Sequence, residues 1–160
     1  MLPLLLAASL GAQIAERADR FVGHRSPASR DDCSGFVTAI YGQEGIDLRA
    51  PERPGENGVT NIRRRARAAH ALRRYPRPGD LVFFRDTYRK GLSHIGIVDS
   101  VQDGTVTFVH RANKGIMRSR LDLRRPHDRS RNDILRKGPP PGLAGELACG
   151  FASPDALHGG

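Results

Sequence analysis

Tryptophan is absent from this chain of 160 residues, and cysteine occurs only twice, as Cys33 and Cys149. Two thiols are too few for a disulfide scaffold or a four-cysteine zinc site. Long hydrophobic runs are missing too. The apolar start, "MLPLLLAASLGAQ", is too short between Leu2 and Leu10 to cross a bilayer. Acidic residues are in deficit: 17 Asp and Glu stand against 26 Lys and Arg, a formal charge of +9. That balance draws a protein to polyanions such as nucleic acid, anionic lipid or an acidic cell wall. The charge is spread along the chain, however, and neither a nucleic-acid-binding motif nor interleaved aromatics accompany it. No specific nucleic-acid partner is therefore expected.

The chain is long enough for one domain with its own core, and 38% hydrophobic with 27% charged residues is ordinary for a globular protein. Eighteen glycines and eleven prolines predict much loop. Residues 1–12 read as a signal-like leader, with Ala7, Ala8, Ser9 and Ala12 near a cleavage point but without the usual preceding basic residues. An apolar first helix from about Leu4 to Phe21 is the other reading. In "QIAERADRFVG", Ile14, Ala18, Phe21 and Val22 recur at helical spacing and Gly23 stops the run. A polar loop, "HRSPASRDD", leads to a second helix that starts at Cys33 or Ser34, turns Phe36, Val37, Ile40 and Tyr41 inward and stops at Gly42. From Val59 to about Leu72 a narrow apolar stripe (Val59, Ile62, Ala66, Ala69) faces arginines 63, 64, 65 and 67, a basic face that reads as solvated.

After "YPRPGD" the pattern changes to strand. "DLVFFR" fits a buried strand, "HIGIVDSV" and "TVTFVH" flank a "QDG" hairpin turn, and "GIMRSRLDL" offers another strand. Arg124 to Pro141 is basic and proline-rich, and "GLAGELACGFASP" is able to return onto the domain. Helices first and antiparallel strands later predict an α+β domain. The expected organisation is a leader at 1–12, a domain at 13–123 and an extension at 124–160.

Cys33 carries the first chemical signal. A thiol is nucleophilic as thiolate, and unpaired N–H groups at a helix N-terminus favour that charge and can hold an oxyanion. It also needs an imidazole. Of six histidines, His94 and His110 lie on the hairpin. With a three-residue loop, Val101 pairs with Thr105, and His94 and His110 become diagonal neighbours on one face. A two-residue Asp103-Gly104 turn instead places His94 opposite Asn113. Either arrangement gives the imidazole a polar partner, so His110 is the first choice for the orienting group and Asn113 the second. No Asp, Glu or Cys stands at ligand spacing beside the two histidines, so a metal is not expected. Structural roles for each residue, a buried thiol and satisfied strand histidines, remain open at this point.

The motif "DCSGFV" resembles the nucleophile motif of the NlpC-like cell-wall peptidases. "RPGDLVFF", "SHIGIV" and "DGTVTFVHRANKG" resemble the second half of that family and of the CHAP amidase/peptidases. The likeness runs from about Gln13 to Leu123. It implies a papain-like α+β fold in which a helix carrying the nucleophile packs on an antiparallel sheet carrying the base. By position Cys33 matches the nucleophile, His94 the base and His110 the third polar residue, and Asp32 and Ser34 match positions that line the substrate cleft. The loop before the cysteine lacks the tyrosine many such enzymes have there. The implied activity is amide hydrolysis in peptidoglycan peptides, without cofactor, by a monomer in the cell envelope, periplasmic or extracellular. A non-catalytic wall-binding or interaction module on the same fold is the alternative. A disulfide between Cys33 and Cys149 would silence the thiol; a buried thiol at Cys149 is the preferred expectation.

Overall fold

The computed structural model describes residues 8–125, 128–134 and 148–158, with side chains from 151 onward in the last segment. Residues 1–7 of the leader-like segment, much of the extension and the Cys149 side chain fall outside this description.

Among the described residues, four helices and six strands order as α1 (Leu10–Asp19), α2 (Cys33–Gly42), α3 (Gly58–Ala68), β1 (Leu72–Arg73), β2 (Leu81–Arg85), β3 (Leu92–Gln102), β4 (Thr105–Ala112), β5 (Gly115–Asp122), β6 (Ala148–Ala152) and the short α4 (Pro154–Leu157). The strands form one antiparallel sheet in the order β1-β6-β2-β3-β4-β5. This is the α+β arrangement that helices followed by strands predict.

Side-chain caps start the helices where the sequence turns apolar. Ser9 accepts from Ala12 N at the start of α1, Asp32 from Gly35 N at α2 and Asn57 from Thr60 N at α3, each supplying an acceptor for an otherwise orphan N–H. The third helix stops at Ala68, short of the expected Leu72. His70 takes a left-handed φ of 53°, and Leu72 pairs with Ala152 of β6 instead of continuing the turn. Strand pairing outweighs helical periodicity there. Two arginines of α3 are tied down: Arg64 donates to Glu56 and the Pro51 carbonyl, and Arg65 to the Asp47 and Leu157 carbonyls.

Each face of the sheet has its own core. The helix side gathers Ile14, Phe36, Ile40, Tyr41, Ile62, Phe83, Ile95 and Ile97. The other side gathers Val82, Phe84, Val98, Val106, Phe108, Leu121 and Ile134, so a residue of the C-terminal extension covers it. β6 lies between β1 and β2, making the returning segment an interior strand. Two contacts fix α2 and α3 on this frame. Tyr41, fully buried, donates its hydroxyl to the Gly79 carbonyl at 2.6 Å, and Asn57 Nδ2 donates to the Leu92 carbonyl at 3.0 Å. The N-terminus of α3 is thereby tied to the first residue of β3, two residues before His94.

Candidate active site

The stretch "DDCSG" builds the first turn of α2. Asp32 is the N-cap, and its Oδ1 accepts from Gly35 N at 2.7 Å and from the Ser34 hydroxyl at 3.0 Å. Gly35 has to be glycine, because a Cβ there would lie 2.1 Å from the Arg30 carbonyl oxygen. The loop therefore folds back against the helix and leaves Cys33 at the first helical position. Cys33 is half-buried and a free thiol. Ser34 is buried; its hydroxyl lies against Gly58 of α3, where a Cβ would come within 2.3 Å.

The two histidines come from the β3–β4 hairpin. Its turn is the tight two-residue one, with Asp103 and Gly104 at φ of 51° and 80° and Gln102 paired with Thr105. Continued unbroken, that register would put His94 opposite Asn113. A register shift between Val98 and Ser100 intervenes, so that Val98 pairs with Phe108 and Ile97 with Val109. The extra residue, Asp99, is a β-bulge, and it returns even-numbered residues to face even-numbered ones. His94 and His110 thus become diagonal neighbours, with His94 Nε2 2.8 Å from His110 Nδ1. Gly96 makes room for this: a Cβ there would lie 3.0 Å from the Phe108 ring and 3.2 Å from His110 Cβ. Asn113 lines the same cleft.

Both rings are enclosed. His94 is 3% and His110 1% exposed. Phe84 and Tyr88 pack on His94, with ring centroids 5.9 and 4.6 Å away, and Phe108 packs on His110 at 4.9 Å. On its far side His110 Nε2 stands 2.7 Å from Ser119 Oγ of β5. His94 Nδ1 is left as the ring nitrogen that His110 does not use. Cys33, His94, Asp32, Tyr88, Arg111 and Asn113 line one open, polar cleft of about 300 Å³. At its rim Arg111 holds Asp31 through two bonds of 2.6 and 2.9 Å, bridging β4 to the loop before Cys33.

Burial dominates the proton affinities. It pushes the Cys33 thiol up, the Asp32 carboxylate adds to this, and the backbone N–H groups of Ile95, Ser34 and Cys33 pull the other way without cancelling it. The helix N-terminus alone would have lowered it, so desolvation and the neighbouring acid outweigh the helix here. Burial, with His110 second, pushes His94 well below the ordinary imidazole value. Burial lowers His110 as well, and the Asp133 carboxylate opposes it. At neutral pH the resting pair is consequently a thiol and an uncharged imidazole. Such a site can move the thiol proton to the imidazole as sulfur attacks an electrophile, with helix N–H groups beside the forming oxyanion.

The structure brings Cys33, His94, His110 and Asp32 to one place and buries Ser34 beneath α3. Sequence reading missed Ser119, Tyr88 and the Asp31–Arg111 bridge. Ser119 had a signal: a two-residue Asn113-Lys114 turn pairs His110 with Met117, which makes Ser119 the diagonal neighbour on the His110 face. Among the described residues no group of three or more His, Cys, Asp or Glu is placed to hold a metal ion, and no helix is long and apolar enough to cross a membrane.

The model of the NlpC/P60 family matches residues 20–132, a span that holds Cys33, His94, His110 and Ser119. No curated protein matches the chain. One solved structure that it resembles is that of an NlpC/P60 family protein from Bacillus cereus ATCC 10987, at 20% identity and a TM-score of 0.49. The superposition covers 92% of this chain and 41% of that one, so the chain spans well under half of that protein's length.

Proposed function

Because the chain belongs to the NlpC/P60 family, whose members are generally cysteine peptidases or amidases of the cell wall, we propose that it hydrolyses amide bonds in peptidoglycan peptides with Cys33 as nucleophile. The observation that carries this reading is that His94, bonded at 2.8 Å to the buried His110 behind it, lines the same cleft as a helix-terminal thiol. His94 takes the Cys33 proton at Nδ1 while Sγ attacks the carbonyl carbon. The oxyanion rests on backbone N–H groups at the start of α2. His94 then gives its proton to the leaving amine, the C–N bond breaks and a thioester remains on Cys33. Water attacks the thioester, losing a proton to His94, and the acid and free thiol are released. His110 holds His94 in register. Asp32 borders the substrate cleft, and Ser34 acts from beneath it through Asp32. The proposed place of action is the cell envelope, where a basic protein meets an acidic wall.

A non-catalytic wall-binding module is the second reading, and the raised proton affinity of Cys33 favours it, since an unused thiol would stay protonated. Incubation with purified peptidoglycan followed by mass analysis of the soluble fragments separates the two. Hydrolysis gives peptide fragments whose combined mass exceeds that of the uncut peptide by one water per bond cut. A module co-sediments with the wall and releases nothing.

A further inference from the structure

Ser119, which the proposed reaction does not otherwise use, ends a buried line of polar groups. His94 Nε2 meets His110 Nδ1 at 2.8 Å, and His110 Nε2 meets Ser119 Oγ at 2.7 Å. His110 and Ser119 are 1% and 3% exposed and so shut off from bulk water. Both ring nitrogens of His110 are committed, and their protonation is linked to that of His94.

For His94 Nδ1 to accept a proton it must carry a lone pair. A neutral His94 then has its hydrogen on Nε2, which donates to His110 Nδ1. That nitrogen must in turn be bare, which places the His110 hydrogen on Nε2. A buried N–H requires an acceptor, and Ser119 Oγ is the atom in place. The reverse polarity, in which the serine hydroxyl donates to His110 Nε2, would protonate His110 Nδ1 and hence His94 Nδ1, leaving the base unable to accept. The hydroxyl can take either part, and only acceptance at Ser119 Oγ leaves His94 Nδ1 bare. The Asp133 carboxylate, which accepts from Arg120 N at 2.7 Å, one residue beyond Ser119, adds a charge that favours a proton on His110.

We infer that Ser119 is a positioning residue: it fixes both imidazoles with their hydrogens on Nε2, so that His94 Nδ1 faces the cleft as a lone pair. The inference rests on the reading of Cys33 and His94 as nucleophile and base. A wrong tautomer in a comparable relay costs catalysis heavily while leaving geometry intact.

The test reads tautomers directly. Long-range proton–nitrogen correlation spectra of histidine-labelled protein at neutral pH distinguish protonated from bare ring nitrogens. Expected in the wild type is a hydrogen on Nε2 of both His94 and His110. In Ser119→Ala both hydrogens move to Nδ1, and kcat on wall peptides falls by about 100-fold with little change in KM. Ser119→Thr, which keeps the hydroxyl, restores both readouts. A hydrogen on His110 Nδ1 in the wild type would overturn the inference, whether or not any variant folds. So would Ser119→Ala that loses turnover with its tautomers unmoved, or moves its tautomers with turnover intact. The spectra do not need turnover, so a failure of the underlying reading, seen as no fragment release by the wild type or as wild-type activity in Cys33→Ala, is distinguishable from a failure here.

Discussion

Cys33 shows how one residue's chemistry is decided by competing local forces. Its position at the start of α2 favours thiolate, whereas burial and the Asp32 carboxylate favour thiol, and the second pair prevails. Alkylation of the free protein by iodoacetamide should therefore accelerate steadily as pH rises through the thiol range. A preformed thiolate–imidazolium pair would instead give a flat rate down to mildly acidic pH that disappears in His94→Gln. The expected result is no such plateau, and a low-pH rate that His94→Gln leaves unchanged. In the proposed reaction the activated state forms with the substrate in place, when the proton leaves the thiol as the carbon–sulfur bond forms.

At the scale of elements, the hairpin holds the site together. Its tight turn and its bulge at Asp99 are separate features whose combined register sets His94 beside His110. Gly96 is the contact point. Gly96→Ala would push a methyl group against Phe108, the Val109 carbonyl and His110, each within 3.2 Å. The expected cost is about 1–3 kcal/mol of stability by urea unfolding, with kcat falling more than KM rises as the His94–His110 bond lengthens. Gly35→Ala strains the other half of the site. Its Cβ meets backbone, which cannot rotate away, so the Arg30–Asp32 loop has to shift and Cys33 with it. Loss of activity exceeding loss of stability is the expected outcome, measured by turnover beside thermal unfolding.

Much of this was legible before any coordinates, and the gaps have physical causes. The span of α2 follows from its cap, its inward Phe36, Val37 and Ile40, and Gly42. The strands β2 to β5 follow from composition and turns. The turn length alone would have given the wrong partner for His94, because a bulge is a compromise between twist and packing that residue alternation does not reveal. β6 was only a segment able to return: its pairing with β2 is non-local, and nothing within "ELACGFA" announces an interior strand. The Asp31–Arg111 bridge joins residues 80 positions apart, beyond any local pattern. Cys33, His94 and His110 could be nominated from residue type and parity, while Ser119 needed the β4–β5 register.

For the molecule as a whole, buried titratable groups set how stability responds to pH. His94 and His110 have folded-state proton affinities below the ordinary value of 6.5. Below that pH the unfolded chain binds protons that the folded chain refuses, so stability is fully present above it and is lost as pH falls. Asp80 acts with the opposite sign. Burial raises its carboxyl from 3.8 to about 6, so the folded chain keeps a proton that the unfolded chain has released, and its contribution declines as pH rises through that interval. Urea unfolding at about pH 5 and about pH 7.5 tests both effects. His110→Gln should show a smaller acid loss than the wild type, and Asp80→Asn a larger one. Equal losses in all three proteins would rule out these groups as the source.

The central claim is that Cys33 forms the bond to substrate. Release of peptide fragments from purified peptidoglycan, wild type beside Cys33→Ala at matched folded concentration, measures it most directly. The expected result is release by the wild type and a loss of about 10,000-fold or more in the variant. Release by Cys33→Ala at the wild-type rate would contradict it.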